Sequence, residues 1–455
     1  MQQTRKPGVM DMTRGPILPH LLRFAWPVFI GCLCQRLYNF VDALIVGKYL
    51  GDAALSAVSA AGIATYMLSS LVLGVTTGAS VVLSQYFGAG DEKGVRASFV
   101  SSMYVALVSS LVLTLAGLAT TDPLLRLLKT PADIFAATGD YLRVIYIGTI
   151  GTMLYNWIAA ALRALGNSTV PLVFLIVSSL LNVALDLLLV AVVPLGVAGA
   201  AWATILSQLL SGLACLLYAR RVSPLMRPGK GGWRYSPRHG REVLVFGLPT
   251  ALQMSIISIS DLTLLGVVNT YGSILTLAYG VCSRVEGVGF QLGDALSMAA
   301  ATFTGQNIGA GNILRVKRGA WITLLINVIG YLLFALVIFL FAEPIMRLFT
   351  ETPEAIAIGR EYLYLIAAFF VFLGVTCTMQ SLLRAAGDIK VTVAIAIGEV
   401  VTRIPLAFLL SAKFGYHGLW WVSPITWLVS ASIGFIRYLS GRWIGKSVAS
   451  GSDKN

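Results

Sequence analysis

The sequence predicts an all-α polytopic membrane protein: twelve transmembrane helices in two six-helix lobes, related by a pseudo-twofold axis along the membrane normal. Three observations predict it. The 455 residues are 57% hydrophobic and 12% charged, about half the charge fraction of a soluble domain. Apolar stretches of about 20 residues, the length that crosses a bilayer, recur from end to end. Three separate motifs return at one common offset, the mark of an internal repeat. A β-barrel is excluded, because its segments would be about ten residues long and alternating.

The spans are expected at roughly 17–45, 53–82, 95–119, 137–163, 169–193, 197–219, 243–269, 274–302, 318–342, 359–383, 391–411 and 416–438. The first begins near Ile17 and is long enough to cross, so it does not read as a cleavable signal peptide. It carries Gln35, Tyr38 and Asp42 at spacings of three and four, hence on one helical face. Pro27 and Gly31 lie nearer its start, and a proline inside a helix permits a kink. A static bend and a moving joint are both compatible with Pro27. Gly88-Ala89-Gly90-Asp91 lacks the lysine and the strand–helix context of a phosphate-binding loop and reads as a tight turn. The fourth span adds Tyr141 near its outer end and Asn156 nearer its middle.

The fifth and sixth spans lie within Pro171–Ser211, hinged at Pro194-Leu195-Gly196. Asn182 and Asp186 sit four apart in the fifth, again on one face. A carboxylate at mid-membrane depth costs about 2.5–3.5 kcal/mol even on lenient scales. It is either a structural hydrogen-bond anchor or part of a site that holds and releases a cation or proton. The sixth span contributes Thr204, Gln208 and Ser211 on one face. Singly, such residues serve as glue between membrane helices. Their clustering with two acids in the same half points to a site. Two acids brought close are expected to exchange protons as a coupled pair.

The domains expected are an N-lobe over 1–219, a basic linker over 220–242 and a C-lobe over 243–455. The linker holds Arg220, Arg221, Arg227, Lys230, Arg234, Arg238 and Arg241. Basic residues concentrate on the side of the termini, which places both termini and the linker in the cytoplasm. That bias explains the net charge of +13 better than nucleic-acid binding does. The linker could also hold anionic lipid headgroups, with Trp233 and Tyr235 at the interface.

The repeat is explicit. Ser84–Asp91 returns as Gly305–Asn312, Leu162–Gly166 as Leu383–Gly387, and Asp122–Leu127 as Glu343–Leu348, all offset by 221 residues. Pro27 and Pro249 match one residue off that offset. Six spans per half make the repeat parallel, an architecture of transporters with the substrate path between the halves. The offset carries Asn182 and Asp186 to Arg403 and Ala407, so the acid motif is not repeated. Glu399 and Arg403 are spaced to pair on one helix. Asp261 lies in the seventh span and Arg284, Glu286 and Asp294 in the eighth.

No Walker motif supplies an ATP engine, and His20, His239 and His417 are scattered. Five cysteines, all within spans, form no disulfide framework or metal-ligand spacing. No nucleophile–base set appears. The chain is therefore expected to be neither an enzyme nor a carrier of a cofactor, with no catalytic residues.

The segments LYNFVDALIVGKYLG (37–51), SQYFGAGDEKGVRAS (84–98), MLYNWIAAALRALGNSTVPL (153–172), LLNVALDLLLVAVVPLGVAGAAWAT (180–204) and TFTGQNIGAG (302–311) resemble the multidrug and toxic compound extrusion (MATE) transporters. The likeness covers nearly the whole chain and is similar to the bacterial branch named for DNA-damage-inducible protein F. It implies export of small cationic amphipathic compounds from a bacterial cytoplasmic membrane, in exchange for H⁺ or Na⁺. It also implies a cation or proton coupling site, with Na⁺ as the metal alternative, at Asp42, Asn182, Asp186 and Thr204. Tyr141 and Asn156 fall where that family lines the same cavity, and Gln35, Tyr38 and Gln208, from the polar faces described above, are expected to line it with them. Asp261 stands where that branch is expected to have a neutral polar residue. A second coupling site in the C-lobe would draw on Asp261, Arg284, Glu286 and Asp294. Membrane lipid is the expected surrounding partner, nucleic acid is not a partner, and the unit is expected to be a monomer. Two alternatives make different demands on the sequence. A lipid-linked precursor flippase would need basic residues in its cavity, with Arg36 and Arg284 as candidates. A membrane-embedded enzyme would need a metal cluster or nucleophile–base set.

Overall fold

A computed structural model describes residues 9–227 and 232–449. Residues 228–231 of the expected linker lie outside the described residues. The first helices are α1 (Ile17–Leu50), α2 (Asp52–Gly88) and α3 (Glu92–Leu127), then α4 (Ala132–Ile147) and α5 (Thr149–Ala164). Next, α6 (Thr169–Asp186) runs on as a π-helical segment, Leu187–Val192, before α7 (Gly196–Val222). After a short 3₁₀ turn at Pro224–Met226 come α8 (Pro237–Asn269), α9 (Ser273–Gly309), α10 (Ile313–Arg347) and α11 (Pro353–Ala385). The last are α12 (Ile389–Phe414), α13 (Tyr416–Trp420) and α14 (Val422–Leu439).

Among the described residues, ten helical segments are long and apolar enough to cross a membrane, and α4 with α5 makes an eleventh if that bent pair is one span. The count of twelve expected from sequence therefore meets ten or eleven by length and composition. The segment at issue is α9, which has 37 residues but carries Arg284, Glu286 and Asp294. Many large apolar side chains lie on the outside of the helices, as in α10, where Leu325, Leu332, Leu336 and Leu340 are all exposed. That is the surface a hydrocarbon solvent selects.

Internal contacts divide the chain into two compact units: Met1–Asp11 with Trp26–Ala251, and Met12–Ala25 with Leu252–Asn455. The boundaries within α1 and α8 fall beside Pro27 and Pro249, the helix-internal prolines. The described parts of the expected linker are seated on the first unit. Tyr104 Oη donates to the Trp233 carbonyl (2.9 Å), Ser236 N–H to Ser101 Oγ (3.0 Å) and Tyr86 Oη to Glu242 (3.0 Å).

In the first unit α2 packs on α3, α4 and α5, and α7 packs on α5 and α6. Small residues permit the closest approaches. A Cβ at Gly78 would lie 2.4 Å from the Val243 carbonyl and one at Gly74 2.4 Å from Ala251 Cβ. Gly74 and Gly78 thus form a G-x-x-x-G face against the start of α8. In the second unit α11 packs on α9, α10 and α14, and α12 on α14. That core is the more aromatic, with Tyr362 edge-on to Trp420 at 4.6 Å and Phe370 stacked on Trp427 at 5.5 Å.

The repeat is visible in the backbone. Gly90 and Gly311 both adopt φ 72°, and Gly166 and Gly387 adopt 85° and 97°, each pair closing an equivalent turn. Asp91 caps the α3 amino end by accepting from Gly94 N–H (2.8 Å), so the Gly88–Asp91 stretch is a capped turn. One element breaks the symmetry. The expected fourth span bends by 47° between α4 and α5. Gly148 marks the break, where a Cβ would lie 2.1 Å from Ile205. The Tyr146 carbonyl beside the bend accepts from Thr114 Oγ1 (2.7 Å) and Thr149 Oγ1 (2.8 Å).

Candidate functional site

The first unit gathers polar side chains from four helices. α6 presents Asn182 and Asp186, both buried, Asp186 with no exposed surface. α1 presents Tyr38 and Asp42, both half-buried. The carboxyl groups of Asp42 and Asp186 are hydrogen-bonded to each other. An ionised carboxylate only accepts, so the two can bond to each other only in a state in which one of them carries a proton. Tyr38 is hydrogen-bonded to Gln208 of α7. Buried Tyr141 of α4 lies within electrostatic reach of Asp42, Tyr38 and Asp186. Asn182 Nδ2 donates to Thr204 Oγ1 at 3.4 Å, which ties α6 to α7. The donor set is carboxyl, amide and hydroxyl oxygen, chemistry suited to a proton or a hard cation and not to a soft metal.

The structure thus brings together Tyr38, Asp42, Tyr141, Asn182, Asp186, Thr204 and Gln208. Gln35 is exposed on α1. Asn156 donates its amide N–H to the Thr152 carbonyl of its own helix (2.8 Å).

The second unit builds a different cluster. Buried Arg403 of α12 is ion-paired with Asp261 of α8, and lies 3.6 Å from Glu399 one turn back. Glu286 of α9 accepts a 2.5 Å hydrogen bond from Tyr362 Oη of α11 and lies within electrostatic reach of Arg403 and Asp261. Tyr279 faces the same three charged groups. The Asp261 side chain is 62% exposed while its partner Arg403 is 5% exposed, so the pair spans from an open face into the packed interior. Arg284 and Asp294 stand apart from this cluster. The Arg284 guanidinium lies 5.8 Å from the centroid of the Phe349 ring. Asp294 faces Arg384, Tyr331 and Cys377.

Sequence reasoning missed Tyr279 and Tyr362. For Tyr362 the signal was at hand, because the repeat offset that takes Asn182 to Arg403 also takes Tyr141 to Tyr362. The two clusters occupy equivalent places in the repeat.

The MatE family profile matches this chain twice, over residues 27–188 and 249–409, once in each repeat. The chain belongs to the MatE family. Across 95% of its length it is 34% identical to a probable multidrug resistance protein, YpnP, of Bacillus subtilis strain 168, covering 97% of that protein. It is 27% identical to a probable multidrug resistance protein, NorM, of Thermotoga maritima, over 95% of this chain and 94% of that one. Among solved structures it is similar to an outward-facing multidrug resistance MATE family transporter, at TM-score 0.89 and 23% identity over 97% of this chain and 99% of that one. It is also similar to a MATE structure described as bent, at TM-score 0.90 and 23% identity over 98% and 100%. These likenesses give the MATE fold. The profile and the relatives make the chain a MATE-family multidrug transporter and not an enzyme.

Proposed function

We propose that the protein is a secondary antiporter that exports cationic amphipathic compounds in exchange for H⁺ or Na⁺, with coupling at Asp42, Asn182, Asp186 and Thr204. The membrane is the bacterial cytoplasmic membrane, with both termini inside. The lobes are 1–219 and 243–455, joined by the linker over 220–242, and α9 is the twelfth crossing. The observation that carries the reading is the hydrogen bond between the Asp42 and Asp186 carboxyls. Two carboxyls that share a proton form a site whose charge changes by one unit at a time.

With both carboxyls ionised, the site attracts a cationic compound from the inside. A proton or Na⁺ arriving from outside cancels that attraction and releases the compound. An inward monovalent cation gains about 2.3 kcal/mol per 100 mV, and a proton gains about 1.4 kcal/mol more per pH unit. Exporting one monovalent cation costs the same electrical term. One-for-one exchange is therefore driven by the concentration gradient of the coupling ion alone. Two carboxyls permit two ions per cycle, which adds the membrane potential to the drive. The test is dye efflux from proteoliposomes with a pH gradient and a Na⁺ gradient imposed separately. Export under neither gradient would refute the proposal, and scrambling of labelled lipid in its place would favour the flippase.

In the second unit, three carboxyls surround one guanidinium. Any C-lobe coupling ion would sit at Glu286, which bonds to Tyr362 and faces the Asp261–Arg403 pair. The same efflux assay on Glu286→Gln tests this, and an unchanged dependence on both gradients would remove it.

A further inference from the structure

Arg284 takes no part in the cluster around Arg403, although it lies two residues from Glu286. It sits eleven residues beyond the start of α9, about 16 Å along the helix at 1.5 Å per residue, roughly half the thickness of a bilayer core. Charged residues at such depth face cavities and mark ligand paths. Arg284 does line one, an open cavity of about 610 Å³ in the second unit. Asn269, Ser273, Thr276 and Gly280 share its wall, and none of its lining residues is acidic. Among the described residues no carboxylate lies within ion-pair distance of Arg284, and its guanidinium rests beside the exposed Phe349 ring.

The wall is rich in donors. Thr276 Oγ1 shares its one proton between the Gly272 carbonyl (3.0 Å) and Asn269 Oδ1 (3.2 Å), an arrangement in which the Asn269 NH₂ group is left to donate. The guanidinium offers a planar fork of N–H groups that fits two oxygens at once. Gly280 lies one turn before Arg284 on the same face, and a Cβ there would meet nothing within 4 Å. Phe349 supplies an apolar plate against which an aromatic body can lie.

We propose that this cavity is an oxyanion subsite: Arg284 binds the carboxylate or phosphate of an amphipathic ligand whose apolar body rests against Phe349. The inference deepens the transport reading above and rests on it, by adding zwitterions to the cations that the first unit attracts. The oxyanion has two sources, a transported solute or a lipid headgroup, and the experiment separates them.

Purified full-length protein in neutral detergent is titrated with a xanthene dye in two forms, the methyl ester (a monocation) and the free acid (a zwitterion). The readout is the ratio of the two Kd values. In parallel, the Tm shift caused by phosphatidylglycerol is compared with that caused by phosphatidylcholine. Arg284→Gln and Gly280→Leu should each lower the acid-over-ester preference roughly tenfold, the scale of one partly hydrated charge-assisted bond, and Arg284→Lys should lower it less. A lost dye preference assigns the group to a solute. A lost phosphatidylglycerol shift with dye preference intact assigns it to a lipid. Wild-type protein showing neither effect, or variants keeping both, would overturn the proposal. If Arg284→Gln does not fold, Gly280→Leu decides, because its added side chain enters open space. The ratio is read without an ion gradient. Protein that shows the preference but no gradient-driven export therefore refutes the transport reading, and the reverse combination refutes this subsite alone.

Discussion

In the first unit two carboxyls, Asp42 and Asp186, bond to each other; in the second, Asp261, Glu286 and Glu399 gather around Arg403. The frames are equivalent, since Asn182 corresponds to Arg403 and Tyr141 to Tyr362. The difference lies in where the positive charge comes from. In the second unit it is covalent, carried by a side chain that cannot leave. In the first unit the same place holds the neutral amide of Asn182, and on the coupling proposal the positive charge is an exchangeable proton or Na⁺. A fixed counter-ion makes a brace, and a mobile one makes a site that can load and unload. The two frames differ at both motif positions, Asn182 against Arg403 and Asp186 against Ala407, and the coupling proposal rests on that difference.

The largest effect expected falls on Asp186→Asn, with Asp42→Asn alike. The swap is nearly isosteric and removes a buried charge, so folding should hold. Gradient-driven dye export per molecule should fall to that of empty liposomes while Tm and membrane abundance stay at wild type. Wild-type export from Asp186→Asn, or reduced abundance with normal export per molecule, would make the first-unit cluster a brace as well. Asn182→Arg tests the comparison from the other side, by installing the second unit's fixed cation in the first. Export should become slow and should lose its response to the imposed gradient; a retained response would show that a fixed charge there is harmless.

Arg403→Gln should act on stability in place of coupling. It leaves the buried carboxyl of Glu399 without its guanidinium, at a cost of about 3 kcal/mol, read as a lowered Tm in detergent. Adding Glu399→Gln should recover part of that loss, and a failure to recover any would separate the two residues energetically. The smallest effect concerns the bend that only the first unit has. Gly148→Ala places a methyl group against Ile205 and should cost about 1–2 kcal/mol. Ile205→Val in the same chain should relieve it. Its counterpart in the repeat, Phe369, lies in the unbroken α11, where no such sensitivity is expected.

Much of this was legible in the sequence. Helical spacing put Asn182 with Asp186 and Tyr38 with Asp42, and the common offset announced the repeat. Glu399 and Arg403 were readable as neighbours because both lie on one helix. What was not legible depends on which helix faces which. Asp261 meets Arg403 across helices, and no periodicity within α8 reports on α12. The G-x-x-x-G at Gly74 and Gly78 is a common pattern whose meaning comes only from Val243 and Ala251 opposite it. The count of twelve spans rested on length, and α9 carries enough charge to fall below the apolar standard that the other segments meet.

The π-helical segment that follows Asp186 lies in a stretch where the two halves differ in length. Gly199 packs on the Leu189 carbonyl, where a Cβ would approach to 2.7 Å, and Gly418 packs on the Leu410 carbonyl, where it would approach to 2.2 Å. The carbonyls are 221 residues apart but the glycines only 219. The first half is therefore two residues longer over this stretch, which includes a wide turn: Val193 N–H bonds to the Leu188 carbonyl, five residues back (2.8 Å). A π-turn absorbs an extra residue without unravelling the helix around it. The acid-bearing half and its counterpart thus differ in length as well as in side chains. A wide turn directly after Asp186 shifts the helical phase of the residues that follow it and leaves the face that carries Asn182 and Asp186 unchanged.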